Sequence, residues 1–286
     1  MTLANTKQLV DCHLAGRERR YSWRKVPSQT TTAGLWFDLS LSPGSPPPKY
    51  WFDAPPAIAK TISQSADGGL MHGPNVSPSA KYLRKITTRS IVATPLPMGM
   101  ILCDYLLYYP SIDDSVTDPQ IMDNSVTLPR YADGAGVQMI AVSVAGRTGG
   151  QQFYVTYTNS NGVTGRTSQT VTQNSSSAIG TIVTSATATQ ASANPFIGLQ
   201  SGDSGVRAIE SVTMLGADVG LFAIILVKPL ATTQCKEILV PYEKDFLIQG
   251  ATLPVIKDDA YLNFICLPQG TVGTTILYGD ILTVWD

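Results

Sequence analysis

Chemistry in this chain would have to start from very few groups. Its 286 residues hold two histidines, His13 and His72, and four widely spaced cysteines, Cys12, Cys103, Cys235 and Cys266. Ser204, within Ser-Gly-Asp-Ser-Gly-Val at 201–206, is the serine whose setting suggests a nucleophile. Such a serine needs a histidine base within hydrogen-bond reach and a carboxylate that orients the base. Nothing in the spacing ties His13 or His72 to Asp104, a carboxylate inside an otherwise apolar run. Read bottom-up, Gly-Asp-Ser-Gly is equally a plain turn before a strand. The cysteines show no CxxC and no Cys/His pairing at zinc spacing, so they read as free thiols, with Cys103 and Cys266 small apolar groups inside strands. Asp113, Asp114, Asp118 and Asp123 lie in an acidic stretch at 110–130 that lacks the D-x-[DN]-x-[DN]-G order of a calcium loop. Phosphate-binding glycine loops and HExxH are missing too. The expectation is a chain with no catalytic residue, no metal site and no cofactor.

Composition points to contact with other proteins. Charged residues make up 14% of the chain, against about 25% in an ordinary soluble domain, and Ser, Thr, Asn and Gln take up the difference. A neutral, hydroxyl-rich surface costs less to desolvate than a charged one. The net charge of −1 gives no basic field to draw nucleic acid or anionic membrane. The first residues lack the apolar core of a signal peptide, and the longest apolar run, 221–227, is far short of a membrane helix. A soluble protein made in the cytoplasm is expected.

The elements that would position any site are strands. Residues 137–172 read as a three-stranded meander, in which Phe153, Val155 and Tyr157 alternate with Tyr154, Thr156 and Thr158. The stretch 100–109 is almost wholly apolar, so its Asp104 should be bound to backbone or to an arginine. Hairpins are expected between 206–214 and 221–227, where Pro229 would stop the second strand, and between 260–267 and 275–285. A strand is also expected at 90–94, and a short helix from Ser77 and Pro78 through Ala80, Leu83 and Ile86. A weak strand of small residues falls within 173–194. The architecture that follows is all-β, a two-layer antiparallel β-sandwich of jelly-roll type.

Residues 1–56 read as an arm joined by a connector to a body at 57–286, with 137–194 as a possible protruding sub-domain. Leu3, Val10 and Leu14 could form the stripe of a short helix ended by Gly16. Arg17, Arg19, Arg20, Tyr21, Trp23 and Arg24 then gather positive charge around two aromatics, either as a docking segment for an acidic neighbour or as a solvated turn packed on its own domain. Residues 35–41 alternate as an edge strand, with Asp38 and Ser40 outward, and the proline-dense 42–56 would be a stiff exposed spacer.

Two resemblances enter. Gly-Asp-Ser-Gly is similar to the surroundings of the nucleophile in chymotrypsin-like serine proteases, also all-β; the pattern departs at Val206. VSPSAKYLRKI with ILCDYLLYYPSID, and GVRAIESVTML with GLFAIILVKPLA and DDAYLNFICLPQG, resemble segments of structural proteins of tailed bacteriophages, over most of residues 76–286. That second likeness implies a non-enzymatic virion protein: a capsid decoration or minor capsid protein that binds the major capsid protein or other virion proteins and forms a homo-oligomer. The alternative it leaves is a tail or fibre adhesin for a host glycan, with Tyr109, Tyr131 or Trp51 as stacking platforms.

Overall fold

The computed structural model describes residues 6–175, 178–183, 194–250 and 252–286. It is all-β and antiparallel, a sandwich in which helices are short. The first sheet runs β14 (Tyr242–Asp245), β5 (Lys81–Ser90), β17 (Leu277–Trp285), β1 (Glu18–Lys25), β3 (Gly44–Ser45), with β15 (Val255–Ile256) also on β5. The central sheet runs β2 (Phe37–Asp38), β16 (Tyr261–Pro268), β6 (Met98–Asp113), β13 (Leu221–Cys235), β8 (Gln138–Ser143), with β4 (Lys60–Thr61) on β6. The third runs β10 (Arg166–Thr167), β9 (Gln152–Asn159), β12 (Val206–Met214), β7 (Gln120–Ile121), with β11 (Val171–Thr172) on β9.

The long strands β6 and β13 are the spine, and their length lets two sheets share one central layer. Met98, Met100 and Leu102 of β6 pack with Leu83, Ile86, Leu277 and Ile281 of the first sheet. Farther along, Leu106 and Tyr109 pack with Val155, Tyr157, Ile209 and Val212 of the third. The opposite face of the central sheet buries Cys103, Tyr105 and Tyr108 beneath Trp36, Trp51, Ile62 and Ile182. There the sheet closes on itself through residues 180–183. Asp38 N donates to Gly180 O and Ile182 N to Trp36 O on the β2 side, both at 2.8 Å, while Gly180 N donates to Ser143 O at 2.9 Å and Val183 N to Ala141 O at 2.7 Å on the β8 side. Closure leaves neither edge strand with a free ladder, the usual protection against edge-to-edge pairing.

Several strands follow the sequence pattern, but their partners differ from those expected. The burial of β9 alternates as expected, but β8 pairs with β13 rather than β9, so the expected meander spans two sheets. The expected hairpins also resolve into crossings: β12 and β13 lie in facing sheets, and so do β16 and β17. Pro229 does not stop β13, because it stands where the register with β6 shifts, and a bulge spares the ladder an amide that proline lacks. The helix expected after Ser77 is strand β5. Its Leu83 and Ile86 share a face because the register against β17 skips Arg84, and this bulge imitates the three-residue step of a helix. Residues 91–97 form no strand, and β6 begins at Met98.

The arm and spacer expectations are corrected as well. Helix α1 (Thr6–Leu14) forms, but it buries Leu9 and Cys12 against Tyr82 and Val284 and leaves Val10 and Leu14 exposed. From Glu18 the chain is an inner strand, matched residue for residue with β17. The proline-rich segment folds back over the closed face of the central sheet, where Trp51 is fully buried. Lys49 anchors it, with Nζ 2.6 Å from Asp53 and 3.0 Å from Asp67, and Tyr108 donates its hydroxyl to Asp53. Asp38 and Ser40 are buried rather than outward. The Asp38 carboxylate accepts from Ser40 N at 2.9 Å, Ser40 Oγ at 2.5 Å, Trp51 Nε1 at 2.7 Å and Tyr105 Oη at 2.7 Å. Burial raises its pKa, and those donors oppose the rise. Within 173–194, residues 173–175, 178–183 and 194 are described, and 178–183 supply the closing bridge; 176–177 and 184–193 lie outside the described residues.

Candidate docking face on the first sheet

Strand alternation sorts the expected docking segment into two faces. Trp23 turns inward, 3% exposed, with its ring centroid 4.9 Å from that of Phe264. Tyr21 is half-buried against the same core. Lys25 is buried too, and its Nζ donates to the carbonyl of Ser42 at 3.0 Å and of Ser40 at 3.4 Å. Burial lowers its pKa to about 8. Arg17 and Arg19 are exposed where the strand begins, and Arg19 turns back on the carbonyls of Gly16 and Glu18, both at 2.8 Å. Arg20, Ser22 and Arg24 alternate with the buried positions and face outward. Trp23 is therefore core, and the surface role falls to the arginines.

Register then brings distant residues beside them. Arg24 lies directly across from Tyr278 in β17, and Tyr278 directly across from Arg89 in β5. The Arg89 guanidinium carbon stands 5.6 Å from the Tyr278 ring centroid. In the next row outward-facing Ser22 opposes Asp280, whose carboxylate accepts from Arg20 at 2.6 Å. Asp280 is thereby occupied, and among the described residues neither Arg24 nor Arg89 gives its side chain to an acid. Ser22, Arg24, Arg89, Tyr278 and Asp280 line an open groove of about 420 Å³. Arg89 and Tyr278 escaped the sequence reading because only the strand register places them next to Arg24.

Exposed apolar side chains flank the edge strand β14, which itself carries Glu243 and Lys244. Ile238, Leu239 and Val240 precede β14, and Leu247 and Ile248 follow it in the short helix α3 (Phe246–Gln249). All five are exposed, Ile248 at 80%. The α3 N-terminus is capped by Asp245, which accepts from Leu247 N at 3.0 Å.

The remaining candidates are structural in their contacts. Asp104 takes a two-point contact from Arg130, Nη2 at 2.8 Å and Nε at 2.9 Å, and Arg130 also donates to the carbonyls of Ile62 and Tyr105. Burial pushes the Asp104 pKa up to about 6 against the pull of Arg130. His72 is fully buried, with Nε2 2.9 Å from the carbonyl of Ala260 and Nδ1 3.0 Å from Lys81 Nζ. Ser204 contacts Ser160 Oγ at 3.1 Å rather than a histidine. Its neighbour Asp203 accepts from Tyr157, Asn159 and Arg166, which fixes the turn to the third sheet. In the acidic stretch, Asp113 caps Ser115 and Asp114 pairs with buried Arg147 at 2.9 Å. Among the described residues no group of three or more His, Cys, Asp or Glu could hold a metal. The four thiols are free and buried. Two of the three aromatic platforms are core: Trp51 and Tyr109 are fully buried, while Tyr131 is half-buried under Lys228 and Lys257. Comparison of the chain with protein-family models, with curated proteins and with solved structures returned no match.

Proposed function

We propose that this chain is a non-enzymatic structural protein of a bacteriophage particle, a decoration or minor capsid protein that binds the outside of the head shell. The observation that carries the reading is the exposed apolar edge of the first sheet, Ile238, Leu239, Val240, Leu247 and Ile248. Exposed apolar side chains of this kind mark surfaces that meet other proteins, and Lys236, Glu237 and Glu243 beside them supply a polar rim. Low charge over the whole chain supports the same reading, and so does the resemblance of its strand phrases to phage structural proteins.

With residues 18–56 built into the body, adhesion falls to this edge instead of an extended arm. Contact would spread over the shell protein and neighbouring copies of the chain, in the host cytoplasm where particles assemble. Shells lacking the protein should lose resistance to heat and osmotic shock, and adding it back should restore both. Ile248→Lys should weaken rebinding by about tenfold or more, because a buried lysine charge at the contact goes unpaired. Equal resistance of bare and decorated shells would end the cementing role. A second reading, an adhesin for a host surface glycan, draws on the Arg24–Tyr278–Arg89 groove.

A further inference from the structure

We infer that the groove between β1, β17 and β5 is a binding site for a carboxylate-bearing sugar ring, of the hexuronic acid class. The inference rests on the groove's own geometry and not on where in a particle the chain sits. Arg24, Tyr278 and Arg89 stand in one cross-strand row on the outward face of three consecutive strands. Strand spacing puts the two arginine backbones about 10 Å apart, so two long side chains can converge on one anion between them. A planar guanidinium matches a carboxylate through paired N–H donors.

Three observations make this a site rather than a solvated face. Both guanidinium groups lack an acidic partner among the described residues, although Asp280 is the nearest carboxylate on the intervening strand. Arg20 holds Asp280 at 2.6 Å, which keeps that carboxylate from competing for Arg24. The Arg89 guanidinium carbon lies 5.6 Å from the Tyr278 ring centroid, and its Nε is buried with no hydrogen-bond partner.

Gly279 sets the depth of the groove. A Cβ there would stand 1.9 Å from the Thr87 carbonyl oxygen, so only glycine lets β17 close on β5 and bring Arg89 over Tyr278. The groove volume of about 420 Å³ suits a single ring better than a flat protein surface. The apolar body of the ring would lie along Tyr278 and Ile276, both of which line the groove, while its carboxylate reaches the arginines.

Titration of the full-length protein with galacturonic acid trimer and with its methyl ester, followed by amide NMR shifts at residues 276–280 and by calorimetry, tests the assignment. Binding of the acid is expected, weakening with added salt. Masking the carboxylate as the ester should cost about tenfold or more in affinity. Arg24→Gln and Arg89→Gln, each checked for native near-ultraviolet circular dichroism, should show the same loss, and Ile248→Lys should bind the acid normally. Equal binding of acid and ester, or unchanged affinity in both arginine variants, overturns the proposal. So does displacement by an aspartate-rich peptide at equal carboxylate concentration, which would make the groove a peptide site.

Discussion

His72→Gln offers a sharp test of the buried architecture, because it turns one contact into a pH-dependent quantity. His72 lies fully buried between the carbonyl of Ala260 and the ammonium of Lys81. Nε2 must carry the proton it donates to Ala260, and Nδ1 must stay bare to accept from Lys81, so the ring is neutral. Burial first, and the Lys81 charge second, lower its pKa from 6.5 to about 4. As pH falls below 6.5 the unfolded chain gains a proton on this residue, and the folded chain gains none until about 4. Stability from His72 is therefore complete above 6.5 and is lost on acidification, by about 1.4 kcal/mol per pH unit inside that window.

Asp104 works in the opposite sense. Its folded pKa of about 6 lies above the unfolded value of 3.8, so its contribution is complete below the lower value and is lost as pH rises through the upper. The wild-type curve mixes the two, and the difference between wild type and variant isolates the histidine. His13 is exposed and present in both chains. Near neutral pH the variant should be less stable by about 1–3 kcal/mol, the cost of ill-placed buried hydrogen bonds. Urea denaturation at about pH 7 and about pH 4.5 should show the difference shifting by about 2–3 kcal/mol against the wild type, which closes the gap or reverses it. A gap that stays constant across that range would refute the neutral, Lys81-facing assignment.

Two further outcomes follow from named contacts. Trp51→Phe keeps most of the ring volume but removes the donor to Asp38 in a fully buried cluster; chemical denaturation should show a loss of about 1–3 kcal/mol, and no loss would mean that the proline-rich segment is not part of the core. Arg130→Leu strands the Asp104 carboxylate inside the central sheet. The cost should be about 3–5 kcal/mol near neutral pH; because losing Arg130 raises the Asp104 pKa above its wild-type value of about 6, the cost should diminish as pH falls toward about 6 and level off below it, and a pH-independent cost would contradict the pairing.

How far the fold could be read from the residues depended on which interaction set each feature. The two-residue alternation of Phe153, Val155 and Tyr157 records burial of one face, and burial is local to the strand, so β9 was legible. Partner choice depends on where the next strand goes, and loops such as 144–151 and 215–220 can turn within a sheet or cross to the facing one with similar composition. That ambiguity produced the false hairpins. Leu83 and Ile86 carried a helical spacing only because Arg84 bulges out of register. The buried Asp104 announced its need for a partner, but Arg130 could not be picked from the other arginines without coordinates. At the candidate site, basic residues of β1 were visible as a charge run, whereas Arg89 and Tyr278 became neighbours of Arg24 only through the β5–β17–β1 register. For Trp23 the structure selects, of the two readings left open, the one in which the aromatics pack on their own domain, because β1 lies inside a sheet with the core beneath it.

The proposed role stands or falls on whether the chain is part of a particle. Phage particles from cells that make this protein, purified through a density gradient and analysed by quantitative mass spectrometry, should contain it in fixed proportion to the major shell protein, and DNA-free heads should contain it in the same proportion. Its absence from both, with the protein recovered only in the soluble fraction, would contradict the proposal.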